Sequence, residues 1–257
     1  MSSRIDNVFI KGKAFIPFVT AGDPTIAVTE KLVLRMAEAG ADLIELGIPF
    51  SDPIAEGPII QEADYRALSA GVTTDHIFSM VERIRKVCSV PIAFMTYANP
   101  IFTYGTEKFM RNCQIAGVDA LIVPDVPFEE KEELGPFCER YNITLISMIA
   151  PTSEKRIRMI AKEAEGFIYC VSSLGVTGLR SEIGNEVEKM IQMVKEVKNI
   201  PCAIGFGIST TEQAAEMAKI SDGVIVGSAI VKIVGQYGID CVPYVEDYVR
   251  RMKEALN

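Results

Sequence analysis

A chain of 257 residues, 49% hydrophobic and 23% charged, has enough apolar material to bury a sizeable core, which excludes disorder. The formal net charge of −8 excludes nucleic acid, whose phosphates demand a basic footprint, yet leaves room for one small anion held by backbone N–H groups and helix N-termini. Six scattered cysteines with no CxxC pair, and an N-terminus (MSSRIDNVFIKGK) with no apolar signal run, point to a reduced, cytoplasmic chain in which Cys88, Cys113, Cys138, Cys170, Cys202 and Cys241 are small core hydrophobes. One histidine, His76, lies on a polar helical start (TTDH), so a metal centre or a Ser-His-Asp triad has almost no material. The longest apolar runs are of strand length, too short to span a membrane.

In chain order, strand-length apolar runs recur as AFIPFV (14–19), DLIELG (42–47), PIAFMT (91–96), DALIVP (119–124), ITLISMI (143–149), GFIYCV (166–171), PCAIGF (201–206) and GVIVGS (223–228). Helical spacing fills most intervals, over Ile26 to Ala39, Glu107 to Ala116, Glu129 to Tyr141, Glu154 to Ala164, Asn185 to Lys198 and Thr211 to Ala218. An echo runs through them: Ala39-Gly40-Ala41-Asp42, Ala116-Gly117-Val118-Asp119 and Ser221-Asp222-Gly223 each read as a helix end followed at once by a strand. Eight strands alternating with helices, without linker, charge block or low-complexity tract, predict an α/β fold: a single (β/α)₈ TIM barrel over 1–257, matching the length of about 250 residues that such a barrel needs. A doubly wound open sheet is the competing architecture, but no GxGxxG opens its first crossover.

In such a barrel the site lies at the C-terminal strand ends and the loops after them. Alternation sends Glu45 to the face opposite Ile44 and Leu46. If that face is the interior, lost solvation raises its pKa and suits it to general acid work; a salt-bridged core glutamate is the equal alternative. The loop Pro49 to Pro58 carries Asp52 and Glu56 between prolines that stiffen it, either a rigid first wall of the site or an ordinary surface loop. Ser172 to Gly178 has the make-up of a lid, with Thr177 able to bond an acid or ligand, and Tyr169 before it either points its hydroxyl to the mouth or packs inside. Gly205-Phe206-Gly207 and Gly227-Ser228 end the seventh and eighth strands, where glycines and a helix N-terminus let backbone N–H groups approach a phosphate.

The segments PFVTAGDP (17–24), ELGIPFSDP (45–53), EGPIIQ (56–61), TYANP (96–100), DVP (125–127), GVTG (175–178), GFGIS (205–209) and GSAIVK (227–232) together resemble the tryptophan synthase α subunit family, in order and over nearly the whole chain. The resemblance implies retro-aldol cleavage of indole-3-glycerol phosphate to indole and glyceraldehyde 3-phosphate, a carbon–carbon lyase step in tryptophan biosynthesis. No cofactor is expected in this chain. By the same resemblance Glu45 is the acid and base, Glu56 the second carboxylate, and Tyr169 assists at the reacting centre. Phe18, Tyr97 and Phe206 line the indole pocket, Thr177 holds the lid, and Gly178, Gly207, Gly227 and Ser228 bind phosphate. Asp52, Pro53, Asn99 and Pro127 match positions facing a β subunit, which takes up the indole, carries pyridoxal phosphate and completes a heterotetramer. The family has aspartate where this chain has Glu56, and a methylene that moves the carboxylate by about an ångström can cost around 10²-fold in rate unless the loop shifts to compensate, which is the expectation here. Competing readings are a stand-alone lyase, a weakly active partner that regulates the β subunit, and a different phosphosugar isomerase or aldolase. Schiff-base chemistry would need a lysine at an interior strand end, and those ends offer none.

Overall fold

The computed structural model describes residues 3–171, 180–205 and 207–256, with 180–184 described by their helical backbone alone. The strands are β1 (Ala14–Thr20), β2 (Ile44–Gly47), β3 (Ile92–Met95), β4 (Ala120–Ile122), β5 (Thr144–Leu145), β6 (Ser147–Ile149), β7 (Ile168–Val171), β8 (Cys202–Gly205) and β9 (Gly223–Val226). All their pairings are parallel, in the order β5-β4-β3-β2-β1-β9-β8-β7-β6. The two ends of that order are separated in the chain by Ile146 alone, so the sheet closes into a barrel rather than lying open. The fifth apolar run of the sequence is thus one barrel strand broken in two: the Ile146 N–H still reaches Leu121 O on one side, and Ser147 starts the pairing with β7 on the other.

The surrounding helices are α1 (Ile26–Glu38), α2 (Pro58–Ser69), α3 (Thr74–Arg85), α4 (Ala98–Tyr104), α5 (Thr106–Ala116), α6 (Gly135–Arg140), α7 (Glu154–Glu163), α8 (Arg180–Val197), α9 (Thr211–Ile220), α10 (Ser228–Tyr237) and α11 (Val242–Glu254). The helix expected over Glu129 to Tyr141 is instead a 3₁₀ turn, Phe128–Glu133, followed by the short α6. Pro136 at the start of α6 has no N–H to continue an earlier ladder, which is why the two pieces do not fuse. In contrast α8 begins earlier than its apolar spacing indicated, taking up the polar residues from Arg180 on. His76 is exposed on α3, and every cysteine is free, all but the half-buried Cys88 inside the core.

Strand alternation splits the core. Ile44, Leu46, Phe94, Ile168, Cys170 and Val224 face outward into the layer between sheet and helices, whereas Leu43, Ala93, Ala120, Ile122, Tyr169, Ala203 and Ile225 fill the interior. The sequence echo has a structural meaning at the N-terminal strand ends. Asp42 accepts the Phe15 N–H (2.7 Å) and Lys253 Nζ (2.8 Å). Asp119 accepts the Ile92 N–H (2.8 Å) and Arg85 Nη2 (2.6 Å), and Asp222 the Cys202 N–H (2.9 Å) and Lys195 Nζ (2.7 Å). Each aspartate sits one strand over from the amide it holds, so the same short motif staples adjacent strands three times.

Candidate active site

Glu45 shares its strand face with Leu43 and therefore points into the barrel. It is 1% exposed, beside Phe18 of β1 and Ala93 of β3 in the sheet register, and neither carboxyl oxygen has a hydrogen-bond partner among the described residues. Burial, and then the charge of Glu56, push its pKa up to about 8. A salt-bridged core glutamate would have a cation within reach, and none of the ion pairs among the described residues involves Glu45. The salt-bridged alternative is therefore not what surrounds Glu45 among the described residues.

Tyr169 on β7 lies on the same interior face, where the charge of Glu45 adds to burial in holding its hydroxyl proton on. A side-chain carbon built at Gly205 would meet the Tyr169 hydroxyl at 2.4 Å, so glycine there is what lets the phenol stand against β8. Phe18 is packed in the same way, since a carbon at Gly47 would meet its ring at 2.5 Å and one at Gly227 at 3.3 Å. That places the ring between Glu45 and the N-terminal end of α10.

The proline-bearing loop after β2 turns Glu56 toward this pocket. The carboxyl is half-buried and lies within hydrogen-bonding reach of the Tyr97 hydroxyl and of Asp64. Tyr97 is itself buried, accepts the Ala55 N–H at 3.1 Å and carries the Phe50 ring at 5.4 Å between centroids. Gln61 Nε2 holds the Glu56 carbonyl at 2.8 Å, so the loop is tied at both ends of the residue. Burial raises the Glu56 pKa, while the hydrogen bonds from Asp64 and Tyr97 oppose that rise.

Asp64 and Thr20 belong to this cluster and were not singled out from the sequence. Asp64 is 3% exposed on α2, and Thr20 Oγ1 donates to it at 3.4 Å. A signal did exist: Ile60, Ala63, Asp64 and Ala67 recur at helical spacing, an acid on a stripe that faces the barrel.

The remaining candidates divide by place. Gly227 precedes α10, whose first internal bonds run from the Ile230 and Val231 N–H groups to Gly227 O. The Ser228 and Ala229 amides therefore have no helical acceptor and open onto the mouth. Gly207 takes a positive φ of 72°, which favours glycine. Thr177, Gly178 and Phe206 lie outside the described residues. Asp52, Asn99 and Pro127 are exposed and Pro53 half-exposed, Asn99 at the start of α4 after β3 and the others on the loops that follow β2 and β4. Among the described residues no group of histidine, cysteine, aspartate or glutamate is placed to hold a metal, and no helix is long and apolar enough to cross a membrane. A cavity of about 620 Å³ opens at the opposite end of the barrel, beside Arg4, Lys11 and Asp42, but Arg4 and Asp42 are spent in ion pairs there and no unpartnered acid faces it.

Comparison with known proteins agrees with this geometry. Residues 8–257 match the family model described as tryptophan synthase alpha chain. The chain is 46% identical over 257 residues to the tryptophan synthase alpha chain of Lacticaseibacillus casei, covering 100% of this chain and 97% of that one. It is 51% identical over 227 residues to the alpha chain of Halalkalibacterium halodurans, covering 88% and 86%. Among solved structures it is similar to tryptophan synthase subunit alpha from Legionella pneumophila, with a TM-score of 0.90 at 35% identity over 100% of this chain and 99% of that one. It is also similar to a chain of the tryptophan synthase α2β2 complex from Pyrococcus furiosus, with a TM-score of 0.85 at 34% identity over 95% and 98%.

Proposed function

Because the chain belongs to the tryptophan synthase alpha chain family, we propose that it cleaves indole-3-glycerol phosphate to indole and glyceraldehyde 3-phosphate, with its own carboxyls as the working groups. The observation that carries this reading is Glu45: a buried carboxyl at a barrel strand end, without a cation, whose pKa of about 8 keeps it protonated at neutral pH.

The protonated Glu45 delivers its proton to indole C3, which turns the ring into an electron-accepting iminium. The resulting carboxylate then removes the proton from the glycerol hydroxyl next to the ring; the C–C bond breaks, its electrons return to the indole, and the hydroxyl carbon becomes the aldehyde. One group thus serves as acid and then base and ends the cycle protonated. Glu56, held by Tyr97 and Asp64, accepts the indole N–H and stabilises the positive charge that develops on the ring. The oxygen of Tyr169 lies near the reacting hydroxyl, and Phe18, Tyr97 and Phe206 enclose the indole. At the other end Gly178, Gly207, Gly227 and Ser228 take the phosphate, aided by the N-terminus of α10. By the family resemblance Thr177, outside the described residues, is assigned to holding the lid. The extra methylene of Glu56 is accommodated because Tyr97 and Asp64 meet the longer arm.

The whole chain, 1–257, is read as one domain working in the cytoplasm without a cofactor of its own. Its partner is a β subunit carrying pyridoxal phosphate, docked over Asp52, Pro53, Asn99 and Pro127. Ile54, 80% exposed on the loop after β2, and Phe102, 49% exposed on α4, supply the apolar area that such a contact covers.

The test is release of indole from indole-3-glycerol phosphate by the purified chain, alone and with a β subunit added. Turnover that rises strongly with the partner is expected. No indole in either case overturns the lyase, and full turnover by the chain alone, unchanged by the partner, favours the stand-alone enzyme.

A further inference from the structure

We propose that Asp64 is a positioning residue for Glu56: the two carboxyls share one proton, carried on Asp64 and donated to Glu56, so that the negative charge stays on the carboxylate that meets the indole nitrogen. The inference rests on the role given to Glu56 above.

The placement of Asp64 is fixed from outside the site. Two residues along α2, Arg66 grips Asp23 through a pair of 2.8 Å bonds, which anchors the helix on the loop after β1 and commits that cation elsewhere. Asp64 then faces inward. Its Oδ1 accepts Thr20 Oγ1, and its carboxyl also receives a backbone hydrogen bond from Phe50. Its Oδ2 is buried with no donor, and Glu56 Oε2 is buried with no donor as well.

Two ionised carboxylates in that position would be acceptors only, within hydrogen-bonding reach of each other and each with one buried oxygen lacking a donor. Leaving both so is costly, whereas a single proton between them satisfies both oxygens and removes the like-charge repulsion. Among the described residues the groups facing the pair are Thr20 from β1, the Phe50 amide and Glu45 from β2 and its loop, and Tyr97 from beyond β3; none of these is a cation. The proton belongs on Asp64 because the Tyr97 hydroxyl lies within hydrogen-bonding reach of Glu56 and favours its charged form, while the Thr20 bond to Asp64 is long at 3.4 Å. In agreement, burial and then the neighbouring Glu56 charge push Asp64 up to about 9. The two groups titrate as a pair, in steps spread apart by their interaction.

A neutral Asp64 that accepts on one oxygen and donates from the other has the hydrogen-bonding pattern of asparagine, which makes the idea testable. Asp64→Asn is expected to keep kcat for indole release within about threefold of the parent, whereas Asp64→Ala, which removes the donor, lowers kcat by roughly tenfold or more and moves the acidic limb of the kcat/KM profile to higher pH, with KM little changed. Asp64→Val, which also lacks a donor, replaces the alanine variant should that one not fold. Independently of turnover, the infrared difference spectrum between parent and Asp64→Asn at neutral pH should contain the carbonyl band of a protonated carboxylic acid. An Asp64→Asn enzyme as impaired as Asp64→Ala, or a difference spectrum with only carboxylate bands, overturns the proposal. If no indole is released at all the lyase reading fails, and the infrared measurement still decides whether the proton is shared.

Discussion

At the N-terminal ends of the strands, Asp42, Asp119 and Asp222 each hold a strand amide and a lysine or arginine; at the C-terminal ends, Glu45, Glu56 and Asp64 meet one another and no cation among the described residues. The same functional group does opposite work at the two ends. A paired, amide-bonded aspartate favours the folded chain, because its charge finds partners only there. A carboxyl buried without partners opposes folding, and only chemistry that needs its proton gives a reason to keep it there. The barrel is stabilised from below and reactive above.

The largest test of that contrast is Glu45→Gln. Indole release should fall by about 10³-fold or more, with the barrel intact by circular dichroism. Its stability should lose a pH dependence that the parent has. Between the ordinary carboxyl range and about 8, folded Glu45 retains a proton that the unfolded chain has already lost. Parent stability therefore declines as pH rises through that window, by up to about 1.4 kcal/mol per pH unit from this group, and the glutamine variant should lack that contribution in urea titrations.

Next is Asp119→Ala at the opposite end, which strands the Ile92 amide and the mostly buried Arg85. Stability should drop by about 3 kcal/mol, roughly 8 °C in melting temperature, with kcat per folded molecule unchanged. A matching loss of kcat would mean that the two ends are not separable. Glu56→Gln should follow with about 10²-fold lower kcat, since the amide cannot supply the charge that the indole cation requires. Turnover that survives this change but vanishes in Glu45→Gln would contradict the two-carboxylate account. The mildest effect is on the parent itself: kcat/KM should decline above about pH 8 as Glu45 ionises, and a flat profile there would remove it as the acid.

Much of this was legible from the chain alone. Period-two alternation around Glu45 placed it opposite Ile44 and Leu46, and with eight strand-length runs that face had to be the interior or the helix layer. Which of the two it was needed the sheet, because only the register sets Glu45 beside Phe18 and Ala93. The motif ending in Asp42, Asp119 and Asp222 was visible as a helix stop, but its bonds to Phe15, Ile92 and Cys202 cross to another strand and leave no local trace. Asp64 gave no strand-end signal, because α2 delivers it to the mouth from the side. The break at Ile146 was likewise invisible, since an unbroken apolar run is what each half of a bent strand also looks like.

Lys253 on α11 donates both to Asp42 and to the Lys13 carbonyl, a contact between residues 240 apart in the chain, and β1 takes β9 as one of its two neighbours. During synthesis, then, β1 leaves the ribosome long before its surroundings are complete: β2 can pair with it early, while β9 on its other edge and the Lys253 cation beneath it emerge much later, Lys253 240 residues after Lys13. The ring is joined at a point where an early and a late segment of this chain meet, and until then an open, half-built sheet is what the cell must keep from aggregating.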